Sequence, residues 1–257
     1  MKKDTLIAAA VVAVAIIGLI AFMLMRPSPA KAPGSVDSSG LPASKYVEHG
    51  QYFDIVANYA SSTPLFAKAG TTADTAAVAR MKNFVADTIN QFKTDGNFAN
   101  LTAYDVQMMG LDQGRKETLN IVYLIASSVH TVSYIFTIYE DTLGAHGNTF
   151  FHTFTFDTST GAPLSLADVF VPGSSYLDTL SEKARTKLPG IIADGGDAKM
   201  IANGTEPAEK NFENFFFDNA DFVVLFPPYQ VAAYAAGPQT LRIPISALSS
   251  ILRPDYR

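Results

Sequence analysis

The chain has 257 residues, with 19 Lys and Arg against 24 Asp and Glu for a net charge of −5, and no cysteine. These figures exclude a disulfide framework, a thiolate metal site and a lipid-anchoring cysteine, and the acidic balance argues against a nucleic-acid partner. Its 18 Phe and 11 Tyr supply enough apolar surface to hold a folded part by its core alone.

Residues 1–5 form a short end carrying Lys2 and Lys3. Leu6 to Met25, "LIAAAVVAVAIIGLIAFMLM", then runs twenty residues without a charge or a proline. At about 1.5 Å per residue a helix of that length crosses a hydrocarbon core of roughly 30 Å. Residues 6–25 therefore read as a transmembrane anchor. A cleaved signal peptide is the competing reading; its apolar region would span about 7–15 residues, and Ala30-Lys31-Ala32 lies well past the run here. Because the bulk of the chain follows the span, the expectation is a single-pass protein of the cell membrane with its large part outside the cytoplasm. Without residues 1–26, 16 basic and 23 acidic residues remain, a balance of about −7.

Residues 26–45 are rich in Pro, Ser and Ala and read as a tether. In "YVEHGQYFDIVANYA", Phe53, Ile55, Ala57 and Tyr59 alternate as on a strand with one buried face. Thr72 to Gly96 is a helix: Thr72 or Asp74 caps it, Val78, Met81, Val85, Ile89 and Phe92 recur at helical spacing, and Gly96 stops it. Three strands are expected at Leu101 to Met109, Thr118 to Ala126 and Val129 to Tyr139, arranged as an antiparallel meander. A first α+β unit closes near Asp141. "FFHTFTFDTSTG" reads as a further strand with a turn at Thr158 to Gly161. Leu177, Leu180, Ala184 and Leu188 then make a helical stripe ended by Pro189 and Gly190. "AEKNFENFFF" reads as a short helix, "DFVVLF" and "QTLRIPI" as strands, and "SALSSIL" as a closing helical turn capped by Ser246.

The chemistry-bearing residues are sparse. His152 shares an alternating face with Phe150, Phe154 and Phe156, the company of a core histidine. His146 lies between Ala145 and Gly147, in a loop where backbone can approach closely. Thr155-Phe156-Asp157 matches the opening of a polysaccharide-deacetylase metal motif. Thr158 stands where the second Asp is needed, and His146 and His152 do not have helical spacing for a metal. No nucleophile elbow, His-Glu-x-x-His pair or phosphate loop is present, and no catalytic residue, metal or cofactor is assigned. Pairs of carboxylates suited to glycan hydrolysis assemble in three dimensions and cannot be picked from sequence.

"FPPYQVAAYAAGP", Phe226 to Pro238, is too broken by proline for a helix and too long for a tight turn. Tyr229 and Tyr234 bring flat aromatic surface with a hydroxyl handle, and Gly237-Pro238 turns the chain onward. The loop is read either as a recognition surface or as a connection packed over the core.

"GAHGNT", "FTFDTSTGAPLSLADVF" and "FFDNADFVVLFPPYQVAAYAAGPQTLRIPISAL" together resemble the extracytoplasmic carboxy-terminal domain of unknown function of the RsiV type. "YFDIVANYA" through "TINQFKTDG" resembles its PdaC-type amino-terminal companion, also of unknown function. The two cover roughly residues 46–252. Relatives with this pair include membrane-anchored anti-sigma factors that sense lysozyme and exported peptidoglycan deacetylases. This chain departs from both: few residues precede the apolar run, and no deacetylase catalytic stretch follows the pair. The resemblance implies a sensor or accessory module and marks His146, Tyr229 and Tyr234 as motif positions.

The expected fold is α+β: a transmembrane helix, then two small α+β units with mainly antiparallel sheets, a PdaC-like one at 46–141 and an RsiV-like one at 142–257. The expected function is a cell-envelope binding or sensor module, and the candidate ligand residues are His146, Tyr229, Gln230 and Tyr234. Its partners would be the membrane, through the N-terminal helix, and a cell-wall glycan or a lysozyme-like basic protein, which the −7 balance would help capture. An enzyme acting on wall glycan and a purely structural envelope protein remain the alternatives.

Overall fold

The computed structural model describes residues 43–62 and 70–257. The expected short end, anchor and most of the tether lie outside the described residues. Among those described, no helix is long and apolar enough to cross a membrane.

The fold is mixed α+β with antiparallel-rich sheets. Its first sheet begins with a hairpin of β1 (Ala43–His49) and β2 (Phe53–Ala60), in register with Tyr46 opposite Ala57. Only one strand was expected here, with the tether running to residue 45. The hairpin escapes sequence reading because β1 buries no side chain fully and so carries no apolar signal. Helix α1 (Gly70–Gly96) follows, and β3 (Glu117–Ser127) returns parallel to β2, Ile55 opposite Leu119. Strands β4 (Thr131–Asp141), β5 (Asn148–Asp157) and the two-residue β6 (Pro163–Leu164) add on antiparallel. The six strands lie side by side in chain order. The boundary expected between residues 141 and 142 falls on the connection between β4 and β5, so the hydrogen-bonded ladder runs across it.

The strand expected at Leu101 to Met109 is instead helix α2 (Ala103–Met108). A capping box decides it: Thr102 Oγ1 accepts from the Asp105 amide at 3.2 Å, and Asp105 Oδ2 accepts from the Thr102 amide at 2.9 Å. The apolar residues that mimicked a strand are not core, since Tyr104 and Met108 are largely exposed.

Short helix α3 (Leu166–Val169), α4 (Tyr176–Lys187) and α5 (Ala198–Gly204) precede the second sheet. That sheet holds β7 (Phe215–Asp218), β8 (Asp221–Phe226) and β9 (Gln239–Pro244), all antiparallel. The helix expected over "AEKNFENFFF" shrinks to one 3₁₀ turn, Glu209–Phe212, before Phe215 enters β7. The closing turn is likewise 3₁₀, Ile245–Leu248, with Ser246 inside it rather than capping it.

Side-chain alternation stacks these elements in four layers. On α1, Ala77, Met81, Val85, Ile89 and Phe92 pack with Val132, Tyr134, Phe136 and Ile138 of β4. The opposite face of the first sheet, through Ile135 and Phe151, meets Phe216, Val223 and Leu225 of the second. The far face of the second, with Phe215, Phe217, Phe222 and Val224, is covered by Leu180 and Ala184 of α4 and Ile201 of α5. Three consecutive phenylalanines, 215 to 217, thus serve two cores on opposite faces.

Among the described residues three buried side-chain oxygens are unsatisfied, those of Tyr134, Ser174 and Asn219. The Tyr134 hydroxyl lies in the first core with no hydrogen-bond partner, and burial, with lesser effects of Tyr123 and Asp74, raises its ionisation far above the usual range. Removing an orphaned buried hydroxyl while keeping the ring relieves its desolvation cost. Tyr134→Phe is therefore expected to raise stability by about 1 kcal/mol in urea denaturation. A loss of similar size would instead reveal a partner for the hydroxyl.

Candidate functional site

The loop between β4 and β5 and the Pro-rich loop after β8 meet, and they bring three of the four expected ligand residues together. The His146 ring stacks on Tyr234, centroids 3.8 Å apart and planes 18° from parallel. Its Nε2 lies 3.1 Å from the Tyr229 hydroxyl, and its Nδ1 lies 3.0 Å from the Gly147 carbonyl. A carbonyl can only accept, so Nδ1 carries the hydrogen and, in the neutral ring, Nε2 accepts from Tyr229. The Tyr234 hydroxyl donates to the same Gly147 carbonyl at 2.8 Å. Two tyrosines and an imidazole from two distant loops, His146 and Tyr229 being 83 residues apart in sequence, are thereby locked into one aromatic platform.

Gly147 makes the approach possible. A Cβ there would sit 2.3 Å from the Tyr139 hydroxyl, so the loop lies directly on the end of β4. Burial, then Asp141 and Tyr234, push the Tyr139 hydroxyl pKa up. Tyr139 was not singled out from sequence; the glycines around His146 marked a close backbone approach, but that spacing does not name a tyrosine on a neighbouring strand.

Tyr229 has φ of +70°, a left-handed conformation that a bulky side chain rarely adopts. Its amide donates to the Ala232 carbonyl at 3.1 Å, which closes the loop tightly around it, and its side chain remains 55% exposed. The left-handed backbone and the exposed ring thus occur at the same residue, whose ring also lies against His146 and Tyr234.

Gln230 is not part of the platform. Its side-chain amide donates to the carbonyls of Gly204 and Asn211, both at 2.9 Å, and so ties the loop to the end of α5 and to the 3₁₀ turn before β7. Its role here is positional.

His152 and the deacetylase-like triplet have local partners. His152 stacks on Phe84 at 4.3 Å, and burial, assisted by Arg80, lowers its pKa. Asp157 Oδ1 accepts from the amides of Ser159 and Thr160, both at 2.9 Å, to form the turn expected there. Burial raises the Asp157 pKa, but the bond from the Ser159 hydroxyl, with the Thr160 hydroxyl and the two amides, outweighs it and holds the carboxyl below its usual range. Among the described residues, no group of three or more His, Asp or Glu is placed to hold a metal ion.

Residues 167–246 match the family model described as "Protein of unknown function (DUF3298)". The matched stretch includes the Tyr229 loop. The chain is also 34% identical over 143 residues to the peptidoglycan-N-acetylmuramic acid deacetylase PdaC of Bacillus subtilis, covering 55% of this chain and 31% of PdaC. It is 25% identical over 118 residues to an esterase of Mycobacterium tuberculosis, covering 46% of this chain and 51% of the esterase. It therefore spans about a third to a half of these relatives. A crystal structure of a DUF3298-family member from Bacteroides fragilis aligns over 86% of this chain and 96% of that one, with a TM-score of 0.51 and 17% identity, a likeness of fold.

Proposed function

We propose that the chain is a membrane-anchored, extracytoplasmic binding or sensor module of the cell envelope, and that the His146–Tyr229–Tyr234 platform contacts its ligand. The observation that carries this reading is Tyr229, a strained and exposed ring held in place from a distant loop. Rigid tyrosines present large amphipathic area at low entropic cost, the property recognition loops exploit. The apolar run 6–25 supports a single-pass anchor, with the described residues outside the cytoplasm. Relationship to PdaC, named for a peptidoglycan substrate, supports a cell-wall setting, with a wall glycan or a basic wall-active protein such as lysozyme as partner. The −7 balance beyond residue 26 favours the basic partner at low ionic strength.

Calorimetry of the full chain in detergent against peptidoglycan fragments and lysozyme tests this reading. Binding is expected with at least one of them, and Tyr229→Gly and Tyr234→Ala are each expected to weaken it at least ten-fold, about 1.4 kcal/mol. Glycine accepts the left-handed backbone without strain, so Tyr229→Gly is expected to keep stability within about 1 kcal/mol of the parent. Binding unaffected by both changes would remove the platform from the interface. Turnover of glycan would replace the module reading with an enzymatic one.

A further inference from the structure

Beside the start of β3, away from any residue assigned above, a cavity of about 420 Å³ opens between the first sheet and α2. Phe92, Leu101 and Met109 supply apolar wall, and Glu117 and Glu140 line it from adjacent strands. Leu119 is paired with Glu140 across the antiparallel ladder, so Glu117 lies two residues along on the same face as its diagonal neighbour. Glu117 is only 4% exposed, yet its carboxylate makes no hydrogen bond or ion pair among the described residues.

The nearby cations are committed elsewhere. Lys93 bonds Glu48, Lys116 bonds Asp54 and the Gly50 carbonyl, and Arg115 donates to the Met109 carbonyl. The other lining acids add negative charge: Asp95 accepts from Gln91, and Asp105 caps α2. Burial, then Glu140 and Asp141, raise the Glu117 pKa; burial, then Asp95, raise that of Glu140. A buried carboxylate without a partner is costly, and buried charges are ordinarily paired.

We propose that this cavity binds a primary ammonium group on an alkyl stem, the chemistry of a lysine side chain, with Glu117 and Glu140 as its counter-charges. The space far exceeds a bare ion, and no set of three acids among the described residues suits a metal. The Phe92, Leu101 and Met109 wall favours a methylene stem over a hydroxylated sugar ring. Thr142 also lines the cavity, four residues before His146 in the same loop, so cavity and aromatic platform share one connection. The assignment nevertheless stands without that platform.

The test is carboxyl NMR of the full chain in micelles with ¹³C-labelled glutamate, titrated with n-butylammonium. Parallel arms use n-butanol, glucosamine and calcium at matched ionic strength. Butylammonium is expected to shift the Glu117 and Glu140 signals saturably and to lower their titration midpoints, because a bound cation favours the ionised acid. Glu117→Gln is expected to weaken binding at least about ten-fold, and Tyr229→Gly to leave it unchanged, which separates this site from the platform.

The pH dependence has a defined sign. A folded-state pKa above the ordinary value of about 4.3 means that ligand-free protein loses stability as pH rises from that value through the folded one. Glu117→Gln should therefore raise stability at neutral pH and change it little below about pH 4. If Glu117→Gln fails to fold, Glu140→Gln and the titration of the unsubstituted chain carry the test. The proposal is overturned by no saturable shift, by an equal response to butanol, or by tighter binding of glucosamine or calcium at the same residues.

Discussion

Gly204→Ala is expected to destabilise the folded part by about 3 kcal/mol or more and to dislodge the Tyr229 loop. Gly204 is the last residue of α5, and it is buried against the backbone of the loop. A Cβ there would lie 1.9 Å from the Gln230 carbonyl oxygen, 2.7 Å from its carbonyl carbon and 2.9 Å from Val231 Cγ1. Two of those atoms are main chain and cannot rotate aside. The carbonyl of Gly204 also accepts from Gln230, so any retreat of the loop breaks that bond as well. Urea denaturation followed by tyrosine fluorescence, the chain having no Trp, measures the loss. Ligand binding should fail with it. A loss below about 1 kcal/mol with binding intact would show that helix and loop separate without cost.

Phe222→Ala is expected to cost about 3–5 kcal/mol. Phe222 is fully buried on β8, stacked on Phe215 with centroids 5.6 Å apart and edge-on to Phe217 at 5.4 Å and Phe170 at 5.7 Å. Truncation removes a large apolar area and leaves a cavity among rings that have little freedom to close it. Its neighbours Val223 and Leu225 face the first sheet, so the damage is expected to spread across the interface between the sheets. Unfolding should therefore remain a single transition at lower denaturant, read alike by far-UV dichroism and tyrosine fluorescence. Two separated transitions would mean that the halves of the chain unfold independently.

Much of this architecture was legible where alternation or helical spacing was strong. The expected strand Asp221 to Phe226 is β8 residue for residue, and the stripe from Met81 to Phe92 is the buried face of α1. What escaped had weak or misleading local signals. Strand β1 buries nothing fully, and the run Leu101 to Met109 imitates a strand although Thr102 and Asp105 start a helix. For the candidate site, the motif positions His146, Tyr229 and Tyr234 could be named, but their stacking could not, because it depends on how two distant loops dock. Gln230 was grouped with them by adjacency; the left-handed turn at Tyr229 helps send its side chain to α5 instead. The Glu117 and Glu140 pairing rests on strand register, which no linear spacing reveals.

The side-by-side order of the first sheet bears on how the chain reaches this state. Each strand from β1 to β6 docks beside its immediate predecessor, so the sheet can grow by accretion at one edge as synthesis delivers new segments. All but one of those steps close a short reversal; the parallel step from β2 to β3 must first span α1 and α2. Loop closure over that length costs entropy before any ladder bond repays it. That parallel step is therefore the most costly loop closure in the first sheet, and it falls between the two strands that bracket α1 and α2.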